Sequence, residues 1–404
     1  MRLLSKYIEK VTEYGVFASI LIVIEKLIKI SFFPIGKYLC RVDPDKIVFL
    51  TFSGRYECNP KWICEKMIQK KIPVKYIWGI TRDLKIETGD FPEQIQTVKR
   101  NTVKFLWHLS TARIIIDNNI GVASLGYRIK KSQCLIETWH GSLGIKRFDA
   151  DVNKDQKWIR RAAREGEMTR YIISNSSFES EIYKNSFWNP AEIWKFGHAR
   201  NDILLNGDMA YCENMNKQIC AKFNIPLGRK LCMYAPTFRD DKDLSPYSIN
   251  FARLKDALSD KFGGEWVILV RFHLRVKELL SDNEFPQDVY NVSEYYDIQE
   301  LLCIIDVGIT DYSSWICEYM LTRKPGFLFA TDMEQYEVKD REFLLPLTEL
   351  PFPLSANEDE LITNISLFDE KEYVSRCNNF LKEKGSVDDG NAAERIVDAI
   401  QKII

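Results

Sequence analysis

A strand-like run that ends in small polar residues stands between Asp306 and Glu318. It reads Asp306-Val-Gly-Ile-Thr-Asp311-Tyr-Ser313-Ser314, and a helix-like run follows. The first amides of a helix have no partner within the helix, and the helix dipole is positive there, so hydroxyl residues at such a point suit a phosphate. Serines also cap many helices that bind nothing, so this pattern leaves both interpretations open.

Three further clusters contain residue types that suit phosphoryl transfer. They are Thr138-Trp-His140-Gly-Ser-Leu-Gly-Ile-Lys146, Tyr234-Ala-Pro-Thr237-Phe-Arg239-Asp and Arg271-Phe-His273. A weaker fourth cluster is Gly197-His198-Ala-Arg200-Asn201-Asp202. Histidine can accept a proton at neutral pH, while arginine and hydroxyl side chains bind phosphate oxygens.

Together, and in this order, these clusters resemble the CDP-glycerol glycerophosphotransferase family, which builds teichoic-acid-like and capsular polyol-phosphate polymers. The resemblance extends from about Lys46 to Tyr336. It implies a CDP-activated polyol phosphate, such as CDP-glycerol, as the donor. An acceptor hydroxyl on a lipid-linked or polysaccharide molecule would attack the β-phosphorus and release CMP. It also implies the two-Rossmann architecture called GT-B, with no cofactor and no metal ligands.

The composition is that of an ordinary globular protein, with 404 residues, 46% hydrophobic and 28% charged. A net charge of -1 excludes a global field for nucleic acid, so we expect no such partner. The ten cysteines form no Cys-x-x-Cys pair, which is typical of free thiols in a reducing cytosol. No cleavable signal peptide is evident.

The first 42 residues combine an apolar run with basic flanks. The run Val16–Ile24 stops at Glu25, short of the roughly 20 residues that cross a bilayer. The surrounding basic residues are Arg2, Lys6, Lys10, Lys26, Lys29, Lys37 and Arg41. This pattern predicts amphipathic helices on an anionic membrane surface, at the inner face of the cell membrane. Packing against the protein's own body is the alternative.

From Lys46 onward, short apolar runs alternate with amphipathic helical runs. The predicted strands are 47–52, 74–80, 113–118, 134–139, 171–174, 193–196, 230–235, 265–272, 289–292, 306–310 and 326–330. The predicted helices are 60–70, 102–109, 155–164, 177–186, 251–261, 297–303 and 313–322, with a helical tail from 358. Two successive βα series predict an α/β protein with two doubly wound, Rossmann-like domains that face a cleft.

The predicted domain boundaries follow from this alternation. Residues 1–42 are the membrane-associating helices, 43–205 an acceptor-side domain, and 206–404 a CDP-donor-binding domain with the helical tail. Ligands of doubly wound sheets bind at the carboxyl ends of the strands. All four main clusters directly follow a predicted strand, which places their polar residues at that edge.

His140 is the predicted general base. An ordinary histidine pKa of about 6.5 suits removal of a hydroxyl proton at neutral pH, and Gly141 leaves the backbone open to substrate. A lone histidine can also be a satisfied core residue, but its place at a strand end favours catalysis. Lys146 and Arg200 are assigned to the acceptor side. Many family members have a lysine five residues after the histidine, whereas Lys146 lies six residues after it. The resemblance therefore does not fix which residues line the acceptor pocket.

The resemblance assigns the donor phosphates to the second βα series. His273, the second predicted catalytic residue, would grip the pyrophosphate together with Arg271. Thr237 would hydrogen-bond a phosphate and Arg239 would clamp it. In the alternative interpretation, Arg271 points away from the site and Arg239 pairs with an adjacent aspartate.

The segment after Asp306 completes the predicted donor site. Ser313 and Ser314 would bind phosphate oxygens, whereas Asp311 would repel them and is expected to fix the loop. Glu318 lies one helical turn after Ser314, which suits the ribose hydroxyls of cytidine. A transferase that uses CDP-ribitol or another CDP-alditol, a GT-B sugar-nucleotide glycosyltransferase and a non-catalytic polymer-binding protein are the alternatives.

Overall fold

The architecture is α/β, built from two parallel sheets. The computed structural model describes residues 24, 27–29, 31–33, 35–36, 38–141, 143, 155–206, 209–237, 239, 247–272, 285–333, 335–336 and 343–404. The strands are β1 Asp43–Leu50, β2 Lys75–Ile80, β3 Ile95–Lys99, β4 Ala112–Asp117, β5 Cys134–Glu137, β6 Thr169–Ser174, β7 Glu192–Lys195, β8 Lys230–Tyr234, β9 Trp266–Val270, β10 Val289–Asn291, β11 Val307–Thr310, β12 Gly326–Phe329 and β13 Leu354–Ser355.

Helices alternate with these strands. They are α1 Cys58–Gln69, α2 Val103–Thr111, α3 Gly121–Leu125, α4 Gln156–Met168, α5 Ser177–Lys184, α6 Asp202–Leu205, α7 Met209–Phe223, α8 Phe251–Phe262, α9 Ile298–Ile304, α10 Trp315–Tyr319, α11 Glu358–Ser366, α12 Glu370–Glu383 and α13 Ala392–Gln401. Short 3-10 turns occupy Ala199–Asn201, Met320–Thr322 and Leu347–Glu349.

Both sheets have the doubly wound strand order. The first runs β3-β2-β1-β4-β5-β6-β7 and the second β10-β9-β8-β11-β12-β13, with parallel neighbours throughout. In each sheet the chain starts at a central strand, builds one side, and then returns to build the other. The strand order reverses between β1 and β4 and between β8 and β11, and ligands of such sheets bind at the carboxyl ends beside that point.

The prediction of an α/β fold with parallel sheets is confirmed. Strands β3 and β13 were not predicted, because both are edge strands and carry a weak apolar pattern. Three of the five β3 residues are polar, and β13 has only two residues. The short helix α3 was also not predicted, because five residues carry too little periodicity.

Apolar clusters cover the sheets on both faces. The central strands run as buried apolar segments from Ile47 to Leu50 in β1 and from Ile114 to Ile116 in β4, as parallel strands covered on both faces must. The last helix, α13, follows the second sheet in sequence but packs against the first. Its residues Ile396, Val397 and Ile400 belong to the same apolar cluster as Ile47 and Ile114.

One disulfide corrects the expectation that all cysteines are free. Cys212 of α7 and Cys303 of α9 are bonded, with their Cα atoms 5.9 Å apart. The two positions are 91 residues apart in sequence, so no local spacing indicated the pair. The other eight cysteines are free.

The described residues between 24 and 39 are helical. Ile28, Phe32 and Phe33 pack against an apolar cluster of the first sheet, and the rings of Phe33 and Tyr127 lie 5.3 Å apart. Within the described residues, no helix is both long enough and apolar enough to traverse a bilayer. The predicted apolar run from Val16 lies outside the described residues except for Ile24.

Candidate active site

His140 lies just beyond the carboxyl end of β5 and contacts the residue that follows β4. Its Nδ1 is 2.7 Å from the carbonyl oxygen of Asn118. A carbonyl oxygen can only accept a hydrogen bond, so Nδ1 carries the proton and donates it. In the neutral imidazole, Nε2 therefore holds the free lone pair, which is the arrangement that a general base needs.

The surroundings of His140 keep its ring neutral. Desolvation is the largest cause that lowers the pKa of His140, to about 4, and the charge of Arg200 adds to it, while the hydrogen bond with Asn118 opposes the shift. The His140 side chain is exposed to solvent, which reduces the effect of desolvation on its pKa. A pKa shifted downwards leaves the imidazole unprotonated at pH 7, as a general base must be.

A buried amide holds the backbone beside His140. Nδ2 of Asn59 lies 3.2 Å from the carbonyl of Thr138, 3.3 Å from that of Trp139 and 2.9 Å from Nδ1 of His198. Nε2 of His198 lies 2.9 Å from Glu179. An amide nitrogen can only donate, so Asn59 shares its two hydrogens among these three acceptors, and Nε2 of His198 donates to the Glu179 carboxylate.

Three buried carboxyl groups fix the strand ends beneath His140. Oxygen atoms of Asp117, Glu137 and Glu165 lie within 4.8 Å of one another. Burial raises the pKa of Asp117 to about 6 and those of both glutamates well above their ordinary value, so the group shares protons at neutral pH. Backbone amides also contact it: the amide of Trp139, whose φ is +50°, donates to Glu137 at 2.7 Å. The cluster thus supports an unusual backbone conformation next to His140.

Arg200 joins His140 to the second sheet. Its Nη2 donates to the carbonyl of His140 at 2.9 Å and also pairs with the Glu318 carboxylate. Its Nη1 contacts Sγ of Cys58 at 3.0 Å, and its backbone amide donates to Asn59. Both partners of the ion pair are nearly inaccessible, with side-chain exposures of 6% and 2%. Glu318, predicted to meet ribose, has its second oxygen 2.5 Å from Nε2 of Gln299.

At the carboxyl end of β11, Asp311 fixes the loop that follows β8. Its carboxylate accepts from the backbone amide of Thr237 at 2.8 Å and pairs with Arg239 at 2.9 Å. Asp332 binds the same guanidinium through two contacts of 2.7 and 2.8 Å. Arg239, predicted to clamp a phosphate, is 3% exposed and uses its donors on these partners and on the Thr237 carbonyl.

Two donors at this edge have no protein partner. The hydroxyl of Thr237 and Nε of Arg271 are both buried, and among the described residues neither has a hydrogen-bond partner. A buried donor left unpaired costs about 1–3 kcal/mol, so both groups are suited to a ligand that brings acceptors. Arg271 also lies within electrostatic reach of Glu57, just before α1 of the first half. Ser313 and Ser314 are half-buried just before α10.

The remaining predicted residues are placed less completely. Gly141 is half-buried, and a Cβ added to it would lie 3.4 Å from Nε1 of Trp139. His273 and Lys146 lie outside the described residues.

Sequence reasoning missed Cys58, Asn59 and Asn118. Each acts through a contact with a distant part of the chain, such as the 139-residue separation between Asn59 and His198. One signal is visible only in the structure: Cys58, at the start of α1, has φ +62°. Residues held in such conformations cluster at functional sites.

Two parallel sheets with polar residues at both carboxyl edges define an α/β protein of the doubly wound class. The chain belongs to the CDP-glycerol:poly(glycerophosphate) glycerophosphotransferase family, whose sequence profile matches residues 32–402. The family resemblance is therefore confirmed.

Several characterised proteins are similar to this chain. A teichoic acid poly(glycerol phosphate) polymerase of Staphylococcus epidermidis is 33% identical over 381 residues, which are 90% of this chain and 51% of that protein. A teichoic acid glycerol-phosphate transferase of Staphylococcus aureus is 29% identical over 402 residues, 94% of this chain and 99% of that protein. The chain spans about half the length of the poly(glycerol phosphate) polymerases of S. epidermidis and Bacillus subtilis.

Solved structures are also similar to this chain. The wall teichoic acid polymerase TagF has a TM-score of 0.80 at 29% identity, and the match covers 98% of both chains. A UDP-N-acetylglucosamine 2-epimerase of Neisseria meningitidis bound to UDP-GlcNAc has a TM-score of 0.51 at 12% identity, covering 88% of this chain and all of that one. The second match shows likeness of fold alone.

Proposed function

We propose that this protein transfers glycerol phosphate from CDP-glycerol to a hydroxyl of a lipid-linked or polysaccharide acceptor in the synthesis of teichoic acid or a capsular polymer. Its family and the names of its relatives support this reaction. TagF, which it resembles, has also been studied after soaking with CDPG. The observation that carries the proposal is the tautomer of His140, whose Nδ1 donates to Asn118, so that the lone pair of the neutral ring lies on Nε2 and can accept a proton.

In the proposed reaction, Nε2 of His140 takes the proton of the acceptor hydroxyl. The hydroxyl oxygen forms a bond to the β-phosphorus of CDP-glycerol, and the bond from that phosphorus to the bridging oxygen breaks. The electron pair leaves with CMP. General-base catalysis of this kind contributes about 100- to 10,000-fold in rate.

The donor phosphates are proposed to lie against the second sheet. The Thr237 hydroxyl and Nε of Arg271, which have no hydrogen-bond partner among the described residues, would supply hydrogen bonds to the phosphates. Ser313, Ser314 and His273 complete the proposed set. Arg239 and Asp311 would position the Thr237 loop rather than touch phosphate, since their contacts are with each other and with that loop. Glu318 would act through Arg200, and Lys146 and Gly141 would face the acceptor.

The two sheets are proposed to form two domains of the GT-B type, covering residues 43–205 and 206–404, with α13 crossing back to the first. Contacts between the two halves support a facing arrangement. Nζ of Lys61 on α1 lies 2.8 Å from Asp297 and 2.6 Å from Glu300, beside α9 of the second half. The acceptor hydroxyl would then approach His140 from the first half, and the donor would lie on the second.

Donor identity is the sharpest test of the proposed function. The full chain is incubated with CDP-glycerol, CDP-ribitol, UDP-sugars and GDP-sugars, each with a lipid-linked glycerol-phosphate acceptor, and the released nucleotide is measured. We expect CMP release with CDP-glycerol. CMP release with CDP-ribitol alone supports the alternative alditol, and UDP or GDP release supports a glycosyltransferase. Nucleotide binding without release in any arm contradicts the transferase.

We also propose that the N-terminal helices dock on the anionic inner face of the cell membrane. Ile24, Leu27, Ile35 and Tyr38 are 45–78% exposed, and their spacing places them on one helical face. Ile28, Phe32 and Phe33 of the same segment pack on the first sheet. The same segment thus presents apolar residues both to the protein body and to solvent, which suits an interfacial helix.

Vesicle co-sedimentation tests the membrane proposal. Substitution of Leu27 and Ile35 by Gln should weaken binding to phosphatidylglycerol vesicles, and salt should release much of the remainder because each nearby basic residue contributes about 1 kcal/mol. Leu367→Gln is the matched control, since Leu367 is 76% exposed in the second half of the chain. Equal binding to neutral and anionic vesicles would contradict the proposal.

A further inference from the structure

A cavity that is open to solvent lies at the opposite edge of the first sheet from His140. Its volume is about 600 Å³, it lies near the amino ends of β1 and β2, and its lining combines apolar surface with Asp43, Lys46, Lys75, Lys104, Trp107 and His108. Active sites of doubly wound sheets lie at the carboxyl ends of the strands. This cavity therefore has no part in the proposed transfer reaction.

The cavity holds more positive than negative charge. Its lining carries three lysines and one carboxylate, so its formal charge is +2 with a neutral histidine. Asp43 is shared, since its carboxylate lies 2.7 Å from Nζ of Lys75 and 3.6 Å from Nζ of Lys46. Lys46 is only 2% exposed, and its Nζ stands 4.0 Å above the Trp107 ring. Its Nζ also donates to Oγ1 of Thr111 at 2.8 Å, so its charge is partly compensated, and an anion in the cavity would add to that compensation.

His108 adds an unused hydrogen-bonding group. Its side chain is 5% exposed, and among the described residues its buried Nδ1 has no partner. Desolvation, together with the charges of Lys46 and Lys104, lowers the pKa of His108 to about 4. An anion in the cavity would accept a hydrogen bond from His108 and oppose the field of the two lysines. The net positive charge and the unpaired Nδ1 of His108 both favour an anionic ligand in this cavity.

We propose that this cavity binds a phosphate monoester, with Lys46 and Lys104 supplying charge and His108 a hydrogen bond. A phosphate monoester carries a charge of about -1.5 to -2 at pH 7 and presents three acceptor oxygens, which matches the net charge and the donors of the lining better than a carboxylate does. The organic part of the ligand would lie against Trp107, which is 45% exposed. A soluble phosphate ester and the headgroup of phosphatidic acid share this chemistry.

Histidine NMR tests the proposal on the full chain, because the protein has only four histidines. The His108→Gln spectrum identifies the His108 imidazole. Addition of glycerol 3-phosphate should shift that signal to saturation and raise its titration midpoint by about one pH unit or more, which corresponds to about tenfold tighter binding to the protonated form. Binding alone is read, so the result does not depend on the proposed transferase activity.

A matched pair of variants separates this cavity from the candidate active site. Lys104→Gln should abolish the His108 shift, whereas Lys371→Gln, an equally exposed lysine on α12, should not. Unchanged signals from the other histidines before ligand is added show that each variant is folded. Phosphatidic acid vesicles provide the lipid arm, in which co-sedimentation should depend on Lys104 if the ligand is a headgroup.

The outcomes are distinct. A His108 shift with glycerol 3-phosphate identifies a soluble ester, and Lys104-dependent vesicle binding alone identifies the lipid. The proposal is overturned by an unchanged His108 signal at about 10 mM glycerol 3-phosphate, ten times the Kd of a weak millimolar complex, combined with vesicle binding that ignores Lys104. An equal shift in Lys104→Gln would overturn it as well.

Discussion

The carbonyl oxygen of His140 accepts a hydrogen bond of 2.9 Å from Nη2 of Arg200, and the same nitrogen pairs with Glu318. One guanidinium therefore connects the residue beyond β5 of the first sheet to α10 beside the second. Because the ion pair is buried, water screens it little, and removal of either partner would leave the other charge buried and unpaired. The proposed base is thus positioned by residues of both halves.

The first prediction concerns this buried ion pair. Glu318→Ala should lower the free energy of unfolding by about 3–5 kcal/mol, because it leaves the Arg200 charge buried without its partner. The double variant Arg200→Met with Glu318→Leu should lose less than the two single losses added together. Urea unfolding followed by circular dichroism measures both quantities.

An exposed pair provides the control. Lys184 and Glu181 lie 3.2 Å apart with side chains 60% and 65% exposed, so Glu181→Ala should cost no more than about 1 kcal/mol. A loss for Glu318→Ala as small as that of Glu181→Ala would show that the buried pair does not hold the halves together.

The second prediction concerns catalysis by His140. His140→Ala should reduce turnover by about 100- to 10,000-fold and leave CDP-glycerol affinity nearly unchanged, because the proposed donor contacts belong to the second half. Isothermal calorimetry gives the affinity, and CMP release gives the turnover. Near-normal turnover, or a loss of donor affinity as large as that of Arg271→Ala, would contradict the assignment.

The third prediction is the protonation behaviour of the same residue. The pKa of His140 is lowered to about 4, so the ring stays neutral, and competent as a base, as pH falls below the ordinary histidine value of about 6.5. It gains a proton only near its own lower pKa. Titration followed by imidazole NMR should place the His140 midpoint below that of an unstructured histidine peptide. A midpoint at or above the peptide value would refute the desolvated site.

The fourth prediction concerns Asn59, which holds the Thr138 and Trp139 carbonyls. Asn59→Ala should lower turnover by up to about 100-fold at unchanged donor affinity, since a misplacement of about 1 Å at the reacting group has that effect. Asn185→Ala is the matched control, because its amide bonds the backbone of an exposed helix end. If Asn59→Ala weakens donor binding and turnover equally, its role is general stability and not the placement of His140.

Alternation of strands and helices was enough to predict the two sheets except for their edge strands β3 and β13, and to place His140, Thr237 and Asp311 at strand ends. The pattern could not predict which side chains contact each other across the fold. Arg239 is a residue type that often binds phosphate, and an aspartate follows it directly. Its observed partners, however, are Asp311 and Asp332, which lie 72 and 93 residues away in sequence.

The same limit applies to the support of His140. Its partner Asn118 stands 22 residues earlier, and nothing in the local pattern of either residue marks the pair. The helical spacing of Glu318 predicted a ribose ligand. In the structure its carboxylate forms an ion pair with Arg200, which comes from the other half of the chain. Contacts of this kind depend on how the two sheets meet, which periodicity within each segment does not encode.

The last prediction concerns the disulfide between Cys212 and Cys303. It ties α7 to α9, and α9 carries Gln299 and Glu300, which contact Glu318 and Lys61 respectively. Closing a loop of this length should stabilise the fold by about 2–4 kcal/mol relative to the reduced chain. Cys212→Ser should therefore unfold at lower urea concentration under oxidising conditions and match the wild type once both are reduced. Cys220→Ser, at a buried free cysteine of the same helix, is the control.

Alkylation tests whether the disulfide forms. Treatment of the unfolded, unreduced protein should label eight of the ten cysteines, as measured by mass, and labelling of all ten would show that the bond does not form.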